Sequence, residues 1–315
     1  MNDVLVVGGG VAGLTTAWCL LAAGVRVRLA ARAFVAGTTS TVAGAFWYPY
    51  RAYPEDKVAR WGFTGYQRFA DLAATAPEAG VLARQATELF PTPTPAPTWA
   101  RALPDFQLLG PDALPPGFVS GHRFTTHVVE TSIYLPWLLR QVEAAGATLT
   151  TRTFTTLDEA LAECPRVINC AGLGARELAP DPTLQAVRGQ IVRVKNPGIS
   201  RVWIDDHSGH GITYVVPRSQ DVILGGTADE GEEDTTPDEA RARQIVARCA
   251  RLEPALAAAE VQSIGVGLRP VRPAVRIEIE PRAGGTVVHN YGHGGAGVTL
   301  SWGCAEAAAE LVLRT

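Results

Sequence analysis

Apolar and polar positions along the first thirty residues predict a buried β-α-β unit. Val4 to Val7 is a β-branched and aliphatic run, typical of a central parallel strand. Three glycines at 8–10 predict a turn, and Val11 to Ala23 predicts a buried helix that ends at Gly24. Val25 to Ala30 predicts a second strand, so the chain opens with a strand, a crossover helix and a parallel strand.

Later patterns predict further helices and short strands, with no internal repeat. The predicted helices are 55–75, 132–145 with Thr131 as a candidate cap, 237–249 with Thr236 as its cap and Pro237 at its first position, and 298–313. The predicted strands are 167–170, 190–194, 213–216, 222–224 and 286–289. Residues 38–41 predict a polar loop, and the proline-rich stretch 91–97 predicts a stiff surface connection.

Composition narrows the class of protein. The chain has 315 residues, 47% of them apolar and 19% charged, which predicts two folded lobes or one lobe with a large insertion. A net charge of −3 gives no reason to expect nucleic acid or an anionic membrane as a partner. Five widely spaced cysteines without a C-x-x-C pair favour a reducing compartment and argue against disulfides and a metal site. Glycines interrupt the uncharged run 4–25, so it predicts neither a signal peptide nor a membrane span.

The first glycine cluster fits the dinucleotide-binding pattern G-x-G-x-x-G. Gly8 allows the tight turn, Gly10 lets a pyrophosphate approach the backbone, and Gly13 lets the helix pack on the strand. The helix N-terminus then offers free N–H groups to the phosphates. The acid that usually follows the second strand is missing, and Arg32 stands nearby. Arg32 suits a 2′-phosphate, which keeps NADP open, or it contacts FAD, or it is simply solvated.

A second glycine-rich turn and two arginines form the other candidate chemistry. Residues 289–305 (HNYGHGGAGVTLSWGCA) open the last helix, whose N-terminus can stabilise negative charge on a flat ring; a close-packed helix entry is the alternative. His293 in this turn is either a base or a structural hydrogen-bond partner. Arg269 and Arg272 lie in a proline-stiffened segment suited to holding a carboxylate; a surface loop with two solvated charges is the alternative, favoured for Arg272 more than for Arg269. Tyr214 lies in an apolar strand, where packing is the ordinary role.

Together these segments resemble the D-amino-acid oxidase family, in family order along nearly the whole chain. The matching stretches are VVGGGVAGL (6–14), TTSTVAGAFWYPY (38–50), VINCAGLGA (167–175), RGQIVRV (188–194), TYVVP (213–217), LGGT (224–227), RLEPAL (251–256), GLRPVRP (267–273) and HNYGHGGAGVTLSWGCA (289–305). The last two are far more specific than G-x-G-x-x-G.

The resemblance implies a mixed α/β fold. A Rossmann-like FAD-binding domain is expected to be interleaved with a substrate-binding domain built on a mostly antiparallel sheet. The FAD-binding domain is expected at 1–50, 124–180 and 274–315, and the substrate-binding domain at 51–123 and 181–273.

The resemblance also implies the site residues. Arg269 forks onto the substrate carboxylate, Tyr214 donates its hydroxyl to the same group, and the Gly295 carbonyl accepts from the substrate amine. His210 and Phe46 are expected in the substrate pocket. The implied contacts to non-covalent FAD are Gly8, Gly10, Val11, Ala12, Gly13, Arg32, Thr38, Thr39, Ser40, Gly44, Ala45, Phe46, Phe154, Gly292, Gly294, Gly295, Ala296, Gly297, Val298 and Thr299.

The implied activity is oxidative deamination of D-amino acids. A hydride moves from the substrate Cα to N5 of FAD, dioxygen reoxidises the flavin to give hydrogen peroxide, and the imino acid hydrolyses to a 2-oxo acid and ammonia. The expected partners are a D-amino acid and dioxygen, with a homodimer as a further expectation. The absence of a peroxisomal tail suggests a bacterial, cytoplasmic member.

Several alternatives stay open. They are a D-aspartate oxidase, a glycine- or sarcosine-type amine oxidase, an NADP-linked dehydrogenase and a flavin-binding protein without turnover. Neutral side chains are expected to be preferred, because relatives that prefer acidic substrates carry an arginine where this chain has Ala228. His210 or Arg272 would overturn this by supplying a cation. The acidic run 229–234 is expected to be a solvated loop or to lie at the pocket mouth.

Overall fold

Strands and α-helices alternate near the N-terminus, and several strands follow one another in the middle of the chain. A computed structural model describes residues 3–315. Its strands are β1 Asp3–Val7, β2 Arg26–Ala31, β3 Val81–Phe90, β4 Gln107–Leu109, β5 Ser120–Val129, β6 Thr148–Thr151, β7 Arg166–Asn169, β8 Gln185–Lys195, β9 Val202–Asp205, β10 Thr213–Pro217, β11 Asp221–Gly225, β12 Asp229–Glu230, β13 Val261–Arg282 and β14 Gly285–His293. Its α-helices are α1 Val11–Ala22, α2 Thr39–Val42, α3 Glu55–Thr75, α4 Thr131–Ala144, α5 Leu157–Glu163, α6 Ala175–Leu178, α7 Glu239–Leu252 and α8 Gly297–Leu313.

One end of the sheet is parallel and carries the predicted β-α-β unit. Its strand order is β14-β7-β1-β2-β6, and each of these neighbouring pairs is parallel. Helix α1 connects β1 to β2, so that Val4 pairs with Val27 and Val6 with Leu29. These four side chains are buried, because covering helices leave a parallel strand no solvent face. This end is the Rossmann-like layer that the sequence predicts.

The other end of the sheet is mostly antiparallel. The order continues from β14 through β13-β8-β11-β10-β9-β3-β5-β4, and only the β3–β9 pair is parallel. The 22-residue strand β13 joins the two ends: it pairs with β8 over Val261–Val271 and with β14 over Val271–Arg282. The expected fold class is confirmed. The predicted domain boundary at residue 273 falls inside β13, so one continuous strand serves both predicted domains.

Helix packing places the last helix at the centre of the molecule. Helix α8 lies against α1 and α3, and a side chain at Gly303 would overlap the backbone of Trp61 in α3. Trp302 donates from Nε1 to the Tyr134 hydroxyl of α4 at 3.0 Å. Because α8 is buried on several sides, its N-terminus is fixed firmly beside the sheet.

Three local expectations differ from the structure. Residues 39–42 form the short helix α2, whereas a polar loop was expected over 38–41. Helix α7 begins at Glu239, and its cap is Asp238, not Thr236: the Asp238 side chain accepts from the backbone N–H groups of Ala240 and Arg241. Helix α4 begins at Thr131, and Glu130 has the cap position that was expected for Thr131. The segment 267–273 lies inside β13, which rules out the surface loop that was the alternative for Arg269 and Arg272. Within residues 3–315, no helix is both long and apolar enough to cross a membrane.

Candidate active site

A cavity of about 390 Å³ runs between the two glycine turns, along the carboxyl ends of the parallel strands. Most of the residues predicted for the site line it. They are Gly8, Gly10, Val11, Ala12, Arg32, Thr38, Thr39, Ser40, Gly44, Ala45, Phe46, Phe154, Tyr214, Arg269, Gly294, Gly295, Gly297, Val298 and Thr299. The open end of a parallel sheet is the usual position of a ligand crevice in such folds.

The first glycine turn delivers a helix N-terminus to this cavity. Gly8 has a φ of +131°, and a side chain there would overlap the Cys170 carbonyl. Gly10 is the extended residue before α1 and faces the cavity, whereas Gly13 does not line it. A side chain at Gly13 would overlap the Gly8 carbonyl oxygen, so Gly13 serves the contact of helix with strand. The Ser40 hydroxyl accepts from the Val11 N–H at 3.1 Å and ties the next loop to this turn.

Two arginines lie at the end of the cavity beyond β2 and β6. Arg32 follows β2, is exposed, and makes no ion pair within the part of the chain that the structure describes. Arg152 follows β6; it pairs with Glu163, and its guanidinium lies 4.7 Å from the centre of the Phe154 ring. Both are available to an anionic or aromatic part of a ligand.

The second glycine turn forms the opposite end of the cavity. Residues Gly294–Ala296 make one 3₁₀ turn and lead directly into α8. The Thr299 side chain in the first turn of α8 accepts from the Tyr48 N–H at 3.0 Å and lies 3.0 Å from the Tyr48 carbonyl. Burial lowers the pKa of His293 to about 4, and its Nε2 lies 3.0 Å from Asn290 Oδ1. His293 is therefore a neutral structural side chain at physiological pH.

Alternate residues of the aromatic segment form one wall of the cavity. Phe46, Tyr48 and Tyr50 face it, whereas Trp47 between them is buried in the core and donates to the Gly62 carbonyl at 2.7 Å. The Phe46 and Tyr48 ring centres are 6.0 Å apart, and those of Tyr48 and Tyr50 are 6.3 Å apart. The side chains at positions 46, 48 and 50 therefore belong to the cavity wall, and the side chain at position 47 belongs to the core.

Arg269 carries a partly buried positive charge that no acid neutralises within residues 3–315. Its Nη1 donates to the Thr227 carbonyl at 2.8 Å, and its guanidinium lies against Gly189 of β8, where any side chain would overlap it. These contacts fix the guanidinium without satisfying its charge. A fixed, unpaired guanidinium in a cavity is suited to a carboxylate ligand.

Tyr214 brings its hydroxyl to the same place. A side chain at Gly225, its partner in β11, would overlap the tyrosine ring. Burial raises the pKa of Tyr214, and the nearby Arg269 charge opposes that shift. The hydroxyl therefore stays protonated and can donate a hydrogen bond beside Arg269.

Several predicted residues lie outside the cavity lining. His210 is exposed on the loop after β9, and Gly13, Gly292 and Ala296 lie behind the glycine turns. Arg272 pairs with the buried Asp181 through its Nε at 2.6 Å. In the acidic run, Asp229 pairs with Arg188 and Arg241, and none of the residues 229–234 lines the cavity.

The structure adds lining residues that the sequence analysis did not name as site residues. They are chiefly Tyr48, Tyr50, Arg152, Ile204, Asp206 and Ile212. The alternation of aromatic residues in 46–50 is a signal for the two tyrosines. Asp206 had none, because it lies on a loop that only the pairing of β9 with β3 and β10 brings to the cavity.

The geometry fits FAD as a ligand. One end of the cavity offers the N-terminus of α1 and two arginines to a diphosphate and an adenosine, and the other offers a glycine turn and the N-terminus of α8 to a flat ring. At Gly10, which faces the cavity, an added side chain would meet only the Ser40 and Thr38 side chains, so a ligand can approach the backbone closely there. Arg269 and Tyr214 lie at the ring end, where a small carboxylate-bearing substrate would bind.

The chain is similar to known proteins over nearly its whole length. Residues 3–311 match the family model described as FAD dependent oxidoreductase (DAO). A D-amino-acid oxidase of Rubrobacter xylanophilus is 50% identical over 309 residues, which cover 98% of this chain and 94% of that protein. A D-amino-acid oxidase of Streptomyces coelicolor is 44% identical over 316 residues, covering 98% and 96%. An L-proline dehydrogenase structure from P. horikoshii has a TM-score of 0.81 at 17% identity, covering 99% and 93%, and shows a shared fold.

Proposed function

The chain belongs to the family of FAD dependent oxidoreductases (DAO), and from this premise we propose that it is an oxidase of D-amino acids. The observation that carries the proposal is Arg269, an unpaired guanidinium beside the Tyr214 hydroxyl, in one cavity with the dinucleotide turn. The two relatives named D-amino-acid oxidases match 98% of this chain.

Binding and orientation are the main tasks of the protein. Arg269 pairs with the substrate carboxylate, and Tyr214 donates its hydroxyl to the same group. The Gly295 carbonyl accepts from the substrate amine. With the carboxylate and the amine held, the side chain can point in only one direction, so one enantiomer presents its Cα–H to the cofactor and the other turns it away.

The cofactor supplies the redox chemistry. The two glycine turns and residues 38–46 would hold FAD without a covalent link, and FAD bound there would supply the oxidation of the substrate and the transfer of electrons to dioxygen. The substrate amine must be neutral, and the apolar wall around it favours the uncharged form. His293 stays neutral and bonded to Asn290, so no histidine base is needed in the account.

Neutral side chains should be preferred over acidic ones. Ala228 stands where a second cation would be needed, and the two residues that were candidates to replace it are elsewhere. His210 does not line the cavity, and Arg272 is committed to Asp181. An acidic side chain would therefore enter the pocket without a positive partner, at a cost in binding.

Initial rates of peroxide formation test the proposal. At about pH 8 we expect D-alanine, D-methionine and D-phenylalanine to exceed D-aspartate in kcat/KM, and the L-isomers to give no turnover. Sarcosine and glycine test whether the protein is instead a glycine- or sarcosine-type amine oxidase, because their oxidation needs no D-configured side chain. A kcat/KM for D-aspartate above those of all three neutral substrates would contradict the specificity, and sarcosine as the best substrate would contradict the function.

A reducing compartment such as the cytoplasm fits the cysteines. All five are free, and four of them are buried. Burial raises the pKa of the Cys170 and Cys249 thiols to about 12, which keeps them protonated and unreactive. A homodimer stays a prediction.

A further inference from the structure

A carboxylate stands in the cavity wall at the substrate end. Within residues 3–315, two acids line the cavity: Glu177 lies in α6, near the first glycine turn, and Asp206 lies on the loop after β9. The Asp206 side chain is 13% exposed. Neither the G-x-G-x-x-G turn nor the carboxylate-binding pair Arg269 and Tyr214 contacts it through a hydrogen bond or an ion pair in the described chain.

Tyr50 fixes where Asp206 lies relative to the substrate. The Tyr50 ring covers Gly295 so closely that a side chain there would lie 2.9 Å from Tyr50 Cδ1. The Tyr50 hydroxyl is buried and has no hydrogen bond of normal geometry. Burial, followed by the charge of Asp206, raises the pKa of Tyr50 to about 12, and the charge of Arg269 opposes this shift. The same added side chain at Gly295 would lie 3.7 Å from Arg269 Cδ, and Arg51, the ion-pair partner of Asp206, lies 5.2 Å from the centre of the Tyr50 ring. Tyr50 therefore lies between a positive group, Arg269, and a negative group, Asp206.

An apolar wall runs from Tyr214 towards Tyr50. The ring centres of Tyr214 and Phe46 and of Phe46 and Tyr48 are 6.0 Å apart, those of Tyr48 and Tyr50 are 6.3 Å apart, and Ile204 and Ile212 line the same cavity. A long side chain that leaves the held α-carbon would pack its methylene groups on these walls and bring its end to Asp206. Such a site is suited to an aliphatic stem with a cationic head, because the stem is desolvated on apolar surface and the head meets a carboxylate.

The position of Asp206 is built into the loop. The preceding residue, Asp205, is buried and accepts from the backbone N–H groups of His207 and Ser208 at 3.2 and 3.0 Å. The only ion-pair partner of Asp206 in the described chain is Arg51, at 2.7 Å, and that arginine is 62% exposed and does not line the cavity. Because the arginine of this pair is mostly exposed and can move into solvent, a ligand cation can replace Arg51.

We propose that Asp206 determines side-chain specificity, and that it selects D-amino acids with long cationic side chains such as D-lysine and D-arginine. The inference rests on the proposed function, because it assumes that Arg269 holds the carboxylate. Asp206 would attract a cation, leave a neutral side chain on the apolar walls and repel an anion, so it also strengthens the discrimination against D-glutamate.

Pairs of substrates that are similar in size but differ in charge test the role of Asp206. D-lysine and D-norleucine share a four-carbon stem, and D-arginine and D-citrulline differ chiefly in charge. For each enzyme, the readout is the ratio of kcat/KM for the cationic to the neutral member. In Asp206→Asn we expect this ratio to fall about tenfold, the effect of one partly exposed charge pair. In Arg51→Gln we expect it to rise about two- to fivefold, because the competing cation is gone.

The control variant is Glu230→Gln, which removes one negative charge from the exposed acidic run outside the cavity. It should leave both ratios unchanged. Unchanged ratios in Asp206→Asn would overturn the inference. If Asp206→Asn does not fold, a fall of the ratio in Arg51→Gln would overturn it. A wild type that oxidises neither D-norleucine nor D-lysine would instead contradict the proposed function.

Discussion

At the scale of single residues, the two arginines of the segment 267–273 have opposite surroundings. Arg269 donates to the Thr227 carbonyl and meets no acid in the described chain, whereas Arg272 pairs with the buried Asp181. The sequence alone places them three positions apart with equal chemistry. Only the fold distinguishes them, because a free charge at a cavity binds a ligand and a paired charge stabilises the protein.

Substitution of each arginine should separate these roles. Arg269→Ala leaves the substrate carboxylate without its partner, at a cost on the order of 3–5 kcal/mol. At about 1.4 kcal/mol per tenfold, its kcat/KM should fall roughly 100- to 3,000-fold. Tyr214→Phe should cost less, about 1.5–3 kcal/mol for one hydrogen bond to a charged group.

Arg272→Ala is the matched control. It should destabilise the fold by about 1–3 kcal/mol, because Asp181 loses a charged partner, yet leave KM near that of the wild type. Steady-state kinetics and urea unfolding measure the two effects. Near-normal kcat/KM in a flavin-loaded Arg269→Ala protein would show that the carboxylate binds elsewhere.

The sequence could not show every site residue. Phe46, Tyr48 and Tyr50 alternate in the sequence and share one wall of the cavity, although the chain bends at Trp47. Asp206 and Arg152 are ordinary charged residues in the sequence, and they reach the cavity only because β9 and β6 end there. Contacts between distant segments carry no local signal, so resemblance and periodicity both miss them.

At the scale of elements, the first glycine turn divides its work between two faces. Gly10 faces the cavity, and an added side chain there would lie 3.0 Å from Ser40 Oγ, which can move. Gly13 faces the strand, and an added side chain there would overlap the Gly8 carbonyl oxygen, which cannot. Both glycines were predicted as cofactor contacts, but the neighbour of Gly10 is a side chain and the neighbour of Gly13 is backbone.

Gly10→Ala and Gly13→Ala should therefore fail in different ways. We expect Gly10→Ala to fold with a loss of about 1 kcal/mol or less and to bind FAD at least about tenfold more weakly, because its methyl group enters the ligand space. Gly13→Ala should lose at least about 2 kcal/mol of stability, because backbone must shift. Thermal melts of the apoproteins and FAD titrations measure both; wild-type FAD affinity in Gly10→Ala would contradict the assignment.

The start of α7 shows why a local pattern can mislead. Thr236, Pro237 and Glu239 satisfy the capping-box pattern, but the helix begins two residues later than it predicts. The Thr236 carbonyl accepts from the buried Arg188 at 2.7 Å, and the Asp238 carbonyl accepts from the buried Gln190 at 2.7 Å. These contacts with β8 hold the segment extended as far as Asp238, which then serves as an equally good cap.

At the scale of the whole molecule, a parallel and an antiparallel region share one sheet, and the cavity follows their junction. The βαβ unit was predictable from periodicity and glycine spacing, and the mixed α/β class from the resemblance to the family. Strands β3 and β5 were not predicted, although they pair along Val81–Phe90 and Ser120–Val129. Polar residues such as Glu88 and His122 are buried in these strands, so their pattern lacks the apolar signal of a core strand.

Buried histidines should make the stability of the molecule depend on pH. Burial lowers the pKa of both His127 and His293 from 6.5 to about 4. Between these values the unfolded chain binds more protons than the folded one, so the free energy of unfolding should fall as pH is lowered through this window. Urea unfolding at several values between about pH 4 and pH 7 measures it. His293→Gln should show a shallower slope, and an unchanged slope would exclude His293 as a source.

Anaerobic spectroscopy of the purified protein can show whether it is a D-amino-acid oxidase that holds FAD without a covalent link. The flavin band near about 450 nm should be present, and acid should release the yellow cofactor into the supernatant. D-alanine added without oxygen should bleach the band, L-alanine should not, and admission of air should restore it with formation of peroxide. A colourless protein, or a flavin band that D-amino acids leave unchanged, would contradict the account.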